Sequence, residues 1–162
     1  TLTLSGTRRE ALEAVAAMMA AKTVEGAGTV SGDTLRSLAG SLHSAQPVFR
    51  DTGGLHAASL FDERGTLIDA REDVGRHNAL DKLVGARLLV DALPLSRGVL
   101  LLSGRASFEL LQKAAMAGVP VVASVGAPSS LAIDLAQRTG ILLVGFLRGD
   151  SFNVYAHGER LQ

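Results

Sequence analysis

The sequence predicts an α/β fold built around a block of parallel strands, and three observations predict it. Three short, predominantly apolar runs (Val99 to Leu102, Val119 to Val125 and Ile141 to Leu147) occupy the last third of the chain. Helix-forming segments separate them and stop at Gly118 and Gly140, where a helix end favours glycine. Strands apolar on both faces imply a sheet covered by helices, and the β-α-β-α-β order implies parallel pairing. With 162 residues, 47% of them apolar and 20% charged, the chain is a single domain of residues 1–162 with a proper core rather than a disordered one.

Each element has a local reason. Thr7-Arg8-Arg9-Glu10 is a capping box that should open a helix running to about Lys22. Glu25 to Gly32 reads as a glycine-rich connector, and Leu35, Leu38 and Leu42 then follow helical spacing in a helix ending before Pro47. Leu55 to Glu72 reads as a hairpin turning on Asp62-Glu63-Arg64-Gly65. A helix from about His77 to Ala92 follows, with Leu80, Leu83, Val84 and Leu88 facing inward and Pro94 closing it. Further helices are expected near Ser107 to Ala117 and from a first turn at Pro128 to Gly140.

Composition excludes several function classes. Sixteen basic and sixteen acidic residues cancel, so a nucleic-acid partner is not expected. There is no cysteine, which removes disulfides and Cys-ligated zinc and fits a reducing, cytoplasmic setting. The apolar stretch Ala14 to Ala21 is too short to span a membrane. It follows Arg8-Arg9, but Glu10 and Glu13 interrupt any export signal, and an amphipathic helix is the better reading. A chain beginning with Thr1 rather than Met is expected to be processed or shortened.

Parallel strands joined by right-handed crossovers deliver their following loops to one edge of the sheet. Here those loops are Ser103-Gly104-Arg105, then Ser124 to Ser130 with Gly126 and Ser129, then Arg148-Gly149-Asp150-Ser151. Glycines that permit close approach, hydroxyls, helix N-termini and two guanidinium forks suit phosphate oxygens. Ordinary βα turns favour Gly and Ser as well; the convergence of three such loops with two arginines favours an anionic ligand. Two further candidates precede them. In Glu72 to Lys82, dense in charge, His77 shares a helical face with Asp81 and Asn78 with Lys82; a solvated first turn capped by Asp73 is the plainer reading. In Thr52-Gly53-Gly54-Leu55-His56, paired glycines let backbone approach a ligand to which His56 can donate; a glycine turn leading into a strand is the alternative. Neither GxGxxG after a strand, nor GxxxxGK[ST], nor GxSxG occurs.

These segments, in this order, resemble the formate dehydrogenase accessory sulfurtransferase (FdhD) family. The resemblance runs from Ser44-Ala45-Gln46-Pro47-Val48-Phe49 through Thr52 to Ala58, Asp73-Val74-Gly75-Arg76-His77-Asn78-Ala79, Ser103-Gly104-Arg105 and Gly118-Val119-Pro120 to Gly145 to Tyr155. The Asp-Val-Gly-Arg-His-Asn string with the later Phe-Leu-Arg-Gly string is its most specific part. It implies a three-layer α/β/α sandwich similar to cytidine deaminases, with a mainly parallel sheet and the hairpin at its N-terminal side. His56-Ala57-Ala58 stands where a zinc deaminase shows H-x-E, and with neither that Glu nor PCxxC present, zinc deamination is excluded.

The resemblance also implies a cytoplasmic homodimer needed for active formate dehydrogenase. Such a protein takes sulfur from a cysteine desulfurase as a persulfide and passes it to the molybdenum of bis(molybdopterin guanine dinucleotide), a cofactor handled as cargo for the apo-dehydrogenase. GDP is the expected mimic of that cargo. The family's cofactor-contacting stretch maps onto Phe146, Leu147, Arg148, Gly149, Asp150 and Ser151, and the expected site adds Ser103, Gly104, Arg105, Gly126, Ser129, Gly54, His56, Arg76 and His77. One departure stands out. The family carries its persulfide on a Cys-x-x-Cys ahead of this region, which together with a smaller N-terminal domain is not found here. Only a thiolate can attack and carry sulfur, so the chain is expected to bind cargo without relaying sulfur, as a shortened member of the family. Two other functions compete: a non-catalytic chaperone of the apo-dehydrogenase, and a hydrolase or transferase using His77 with Asp81, for which spacing supplies no nucleophile.

Overall fold

A computed structural model describes residue 10, residues 28–44 and residues 54–162. Apart from Glu10, the helix expected over Thr7 to Lys22 lies outside the described residues, as do the first three residues of the glycine-rich connector and the Ala45-to-Gly53 part of the resemblance. In chain order the elements are α1 (Gly32–Ser44), β1 (His56–Phe61), β2 (Leu67–Asp73), α2 (Arg76–Leu88), β3 (Val99–Leu102), α3 (Phe108–Met116), β4 (Val121–Ser124), α4 (Ser130–Thr139), β5 (Leu142–Gly145) and β6 (Asn153–Ala156).

The strands form one sheet in the order β2-β1-β3-β4-β5-β6. The parallel block is the expected one: Val99 pairs with Val121 and Val121 with Leu142, in register along β3, β4 and β5. The sheet as a whole is mixed rather than mainly parallel. β1 runs antiparallel to both β2 and β3, and β6 antiparallel to β5. The sequence reading lacked β6, because Asn153-Val154-Tyr155-Ala156 is short and its first two residues are exposed, which leaves little apolar signal.

Side chains alternate across the sheet, as the pleat requires. Ala58, Leu60, Leu100, Leu102, Val122 and Leu143 pack with Leu80, Leu83, Leu110, Leu111 and Leu135 from α2, α3 and α4. Ala57, Phe61, Leu101, Ala123 and Val144 turn the other way and pack with Leu35 and Leu38 of α1. Helices therefore lie on both faces. Each fully buried leucine in these layers is worth about 1.5–3 kcal/mol of transfer free energy.

Local chemistry explains most boundaries. The hairpin turns where Asp62 Oδ1 accepts from the backbone N–H of Arg64 (2.9 Å) and Thr66 (2.8 Å), with Gly65 at φ +85°. α4 ends at Gly140, whose left-handed φ of 77° suits a residue without Cβ. Three expectations are corrected. α2 stops at Leu88 rather than Ala92, and Leu88 faces solvent, because the backbone leaves the helix at Leu89 and the next turn closes through Asp91 and Ala92. Pro128 precedes α4 by two residues and bridges to Ala106, and Ser129 is the cap. Asp73 is not the cap of α2. Gly75 is, and Asp73 instead binds the Gly75 N–H ahead of the helix.

Candidate functional site

The C-terminal ends of β3, β4 and β5 meet at one rim, and backbone hydrogen bonds lace their loops together. Val125 N–H donates to Leu102 O (3.0 Å), Gly126 N–H to Gly104 O (3.0 Å), Phe146 N–H to Gly126 O (3.2 Å) and Leu147 N–H to Ser124 O (3.0 Å). The Ser124 hydroxyl adds bonds to Gly126 O (2.9 Å) and Val144 O (3.3 Å). Glycine makes this closeness possible: a Cβ on Gly126 would stand 3.0 Å from Arg105 Cα, and one on Gly145 would stand 2.7 Å from Pro128 Cδ.

β1 is antiparallel, so its first residue, His56, arrives at the same rim. Ala57 N–H donates to Ser103 Oγ (2.8 Å) and Ser103 N–H to Ala57 O (3.0 Å). The imidazole of His56 lies against Gly104, where a Cβ would come within 3.3 Å of Nδ1. β2 ends here as well, at Asp73, which leads into the start of α2. Four inter-strand steps separate β2 from β5, so the rim is roughly 19 Å long at about 4.8 Å per step.

Asp73 organises the β2 end. Its carboxylate accepts from Gly75 N–H (2.9 Å) and Asn78 Nδ2 (3.2 Å) and pairs with Lys82 Nζ (2.6 Å). Lys82 first, then Gly75 and Asn78, lower its pKa to about 2. The shared face of Asn78 and Lys82 thus serves to grip Asp73. Asp81 pairs with Lys113 of α3 (2.7 Å) rather than with His77, which removes the His77–Asp81 couple a hydrolase reading needs. Arg76 and His77 approach Glu109 at the start of α3; Glu109 is held below the ordinary carboxylate range by its own backbone N–H first and by these two neighbours further. Sequence reading missed Glu109, since nothing in its spacing links it to α2.

At the β5 end Phe146 sits in the left-handed region (φ 52°) with its ring exposed. That conformation is unfavourable for a bulky residue and marks a constrained position. Leu147 points into the core, so only its backbone belongs to the rim. Arg148 is exposed; its Nη1 donates to Val125 O (2.9 Å) and Leu147 O (3.2 Å), and its N–H bonds Ser151 O (2.8 Å). Ser151 Oγ donates to Asp150 (3.1 Å), and Gly149 has open space where a side chain would stand. Ser129 is occupied as the cap of α4, its Oγ accepting from Ala132 N–H (3.2 Å). Gly54 and Arg105 are exposed at the rim.

The rim therefore brings together His56, Arg76, His77, Gly104, Arg105, Gly126 and the Phe146-to-Ser151 loop. Among the described residues none of Arg76, Arg105 and Arg148 forms an ion pair with a carboxylate, and Arg76 Nε is buried without a hydrogen-bond partner. A buried donor left unmatched costs about 1–3 kcal/mol, a cost that an acceptor on a bound anion would relieve. A cavity of about 570 Å³ lies instead at the opposite end of the strands, lined by Leu60, Glu63, Ile68, Arg87, Pro94 and Arg97 among others; it shares no residue with this rim.

A model of the FdhD/NarQ family matches residues 2–162. The chain belongs to the FdhD/NarQ family. It is 64% identical over 132 residues to the sulfur carrier protein FdhD of Streptomyces coelicolor, covering 82% of this chain and 47% of that one. To its Mycobacterium tuberculosis counterpart it is 58% identical over 133 residues, covering 82% and 48%. The chain thus spans about half the length of the curated relatives it matches. A solved structure described as a formate dehydrogenase accessory protein of Desulfotalea psychrophila superposes with a TM-score of 0.80 at 30% identity, covering 90% of this chain and 62% of that one. Among the described residues no helix is long and apolar enough to cross a membrane.

Proposed function

We propose that this chain is the cargo-holding part of a formate dehydrogenase accessory sulfurtransferase. Its cargo is bis(molybdopterin guanine dinucleotide) molybdenum cofactor, gripped along the rim by a guanine-nucleotide moiety. The observation that carries the reading is the set of rim arginines that, among the described residues, have no carboxylate partner, set among glycines that let an extended anion lie against backbone. Arg105 and Arg148 present guanidinium donors to phosphate oxygens. Arg76 offers its buried Nε, and the exposed Phe146 ring gives a flat surface for a purine. When bound, the cargo supplies the molybdenum that accepts sulfur; these residues bind and orient it and take no part in the chemistry.

The reading extends to a cytoplasmic homodimer that receives sulfur from a cysteine desulfurase and serves an apo-dehydrogenase. With no cysteine in its 162 residues, this chain carries no persulfide itself. A second reading is a chaperone of the apo-dehydrogenase that never handles the cofactor.

Calorimetric titration with GDP separates the two. The cargo reading expects binding that Arg148→Ala weakens by a factor of ten or more, the equivalent of one charge-assisted contact worth about 1.5–3 kcal/mol. No GDP binding, together with co-purification of the dehydrogenase, selects the chaperone. Unchanged affinity in Arg148→Ala removes Arg148 from the site.

A further inference from the structure

We infer that the carbonyl oxygens of Val125 and Leu147 form the acceptor pair for the 2-amino group of guanine. Arg148 holds this pair in the structure and is exchanged for the base when the nucleotide enters. The inference rests on the guanine-nucleotide reading above and deepens it, naming the atoms that select the base and the side chain that must move.

Nη1 of Arg148 donates to Val125 O at 2.9 Å and to Leu147 O at 3.2 Å. The two oxygens belong to different loops, one following β4 and the other β5. They differ from the carbonyls around them. Leu102 O, Gly104 O, Ser124 O and Gly126 O each accept a backbone N–H across the rim, whereas among the described residues no backbone N–H bonds to Val125 O or Leu147 O. Their partner is an exposed side chain. Fixing a long exposed arginine costs rotamer freedom, and a bond from it to a carbonyl near the surface stabilises little in net terms. This hold is therefore easy to give up, unlike the backbone lacing beside it.

The form of the acceptor pair selects its guest. Both bonds come from one nitrogen, so the two oxygens are spaced to accept the two hydrogens of a single planar –NH2 group. Guanine carries such a group at C2, and hypoxanthine has only hydrogen there. The residue before Leu147 adds an apolar surface. Phe146 is held at φ 52° with its ring 41% exposed, and an aromatic ring is a platform on which a base stacks. Arg148 also has somewhere to go. Nothing stands within 4 Å of the position a Cβ on Gly149 would take, so the turn beyond Arg148 is open. A guanidinium released there donates to phosphate oxygens, a stronger bond than one to an uncharged carbonyl. After the exchange both carbonyls and the guanidinium are bonded again.

Calorimetric titration with GDP and IDP, and NMR titration with guanosine, test the exchange in the unaltered chain and in Arg148→Ala. Because Arg148 is exposed, the variant should keep its far-UV circular dichroism. GDP should bind the unaltered chain about tenfold more tightly than IDP, which brings no amino group to the pair. Guanosine has no phosphate contact to lose, so Arg148→Ala should bind it about two- to tenfold more tightly than the unaltered chain does. The same substitution should weaken GDP. A merely structural stitch between the two loops does not give that opposite response, since a loosened rim weakens both ligands. Guanosine affinity that falls or stays the same in Arg148→Ala overturns the exchange. Equal affinity for IDP and GDP overturns the amino subsite and leaves the nucleotide reading standing. No GDP binding at all overturns both.

Discussion

The two ends of the strands use arginine in opposite ways. At the end where β3 begins, Arg97 is locked to Glu63 (2.8 Å) and Arg87 to Asp69 (2.9 Å). At the end where β3, β4 and β5 finish, Arg76, Arg105 and Arg148 have no carboxylate within ion-pair distance among the described residues. A paired guanidinium is neutralised and serves the fold; an unpaired one beside glycine backbone is left for a partner from outside. Residue type is therefore a poor guide to function in this chain, and the partner is a good one.

The sharpest way to break the contrast is to wedge the rim loops apart. At Gly126 a Cβ would already stand 3.0 Å from both Cα and N of Arg105, backbone atoms that cannot swing aside. Gly126→Val should cost about 1–3 kcal/mol of stability by overpacking and should remove GDP binding, since it moves Arg105 and the Phe146 turn together. Urea unfolding and calorimetry on one preparation would check both. A variant of full stability and full affinity would mean that the loops are less tightly laced than their hydrogen bonds indicate.

A smaller and more selective effect is expected from the arginines themselves. Arg105→Ala should weaken GDP binding about tenfold, whereas Arg97→Ala should leave it unchanged. Arg97 is 81% exposed, so breaking its pair with Glu63 should cost less than about 1 kcal/mol. Equal effects on GDP from both substitutions would erase the difference between the two ends.

The parallel block was legible because its strands are apolar on both faces and its helices end on glycine, so periodicity and punctuation agree at Gly118 and Gly140. The three converging loops followed from that order alone. What composition hid was pairing. Nothing in the spacing of Asp81 says that it meets Lys113 rather than His77, because that choice depends on how α2 packs on α3. Glu109 was missed for the same reason. Leu88 was placed inside because its spacing from Leu80 and Val84 is helical, and the helix ends there before the next turn can cover it.

Asp73 tests the polar end of the rim in a different currency, that of pH. Lys82, Gly75 and Asn78 lower its pKa from 3.8 to about 2, so its hold on the start of α2 is complete above the ordinary value and is lost as pH falls through about 2. An NMR titration should find the Gly75 amide resonance moving with a midpoint near 2. Lys82→Met should raise that midpoint, and Asp73→Asn should remove the transition. A midpoint near the ordinary value in the unaltered chain would mean that Lys82 and Asn78 do not engage the carboxylate in solution.

The smallest effect belongs to His157, at the C-terminal end of the described chain and away from both arginine sets. Its ring bonds Gln137 O (2.9 Å) and Glu159 (2.6 Å), and the Gln137 carbonyl first, then Glu159, raise its pKa above 6.5. A raised value reverses the sign found for Asp73: the contribution is fully present below 6.5 and fades as pH rises through the folded-state value. Such a partly exposed pair is worth less than about 1 kcal/mol, a change of no more than about 3 °C in melting temperature between pH 6 and pH 8 for a domain of this size. His157→Asn is the right probe, because His157 has a left-handed φ of 51° that asparagine tolerates better than most residues. That variant should lose the pH dependence while GDP affinity stays put, since β6 runs away from the rim and the short 3-10 turn that His157 caps follows its far end. A loss of GDP binding instead would tie the C-terminal turn to the cargo and redraw the boundary between the part of this domain that folds and the part that grips.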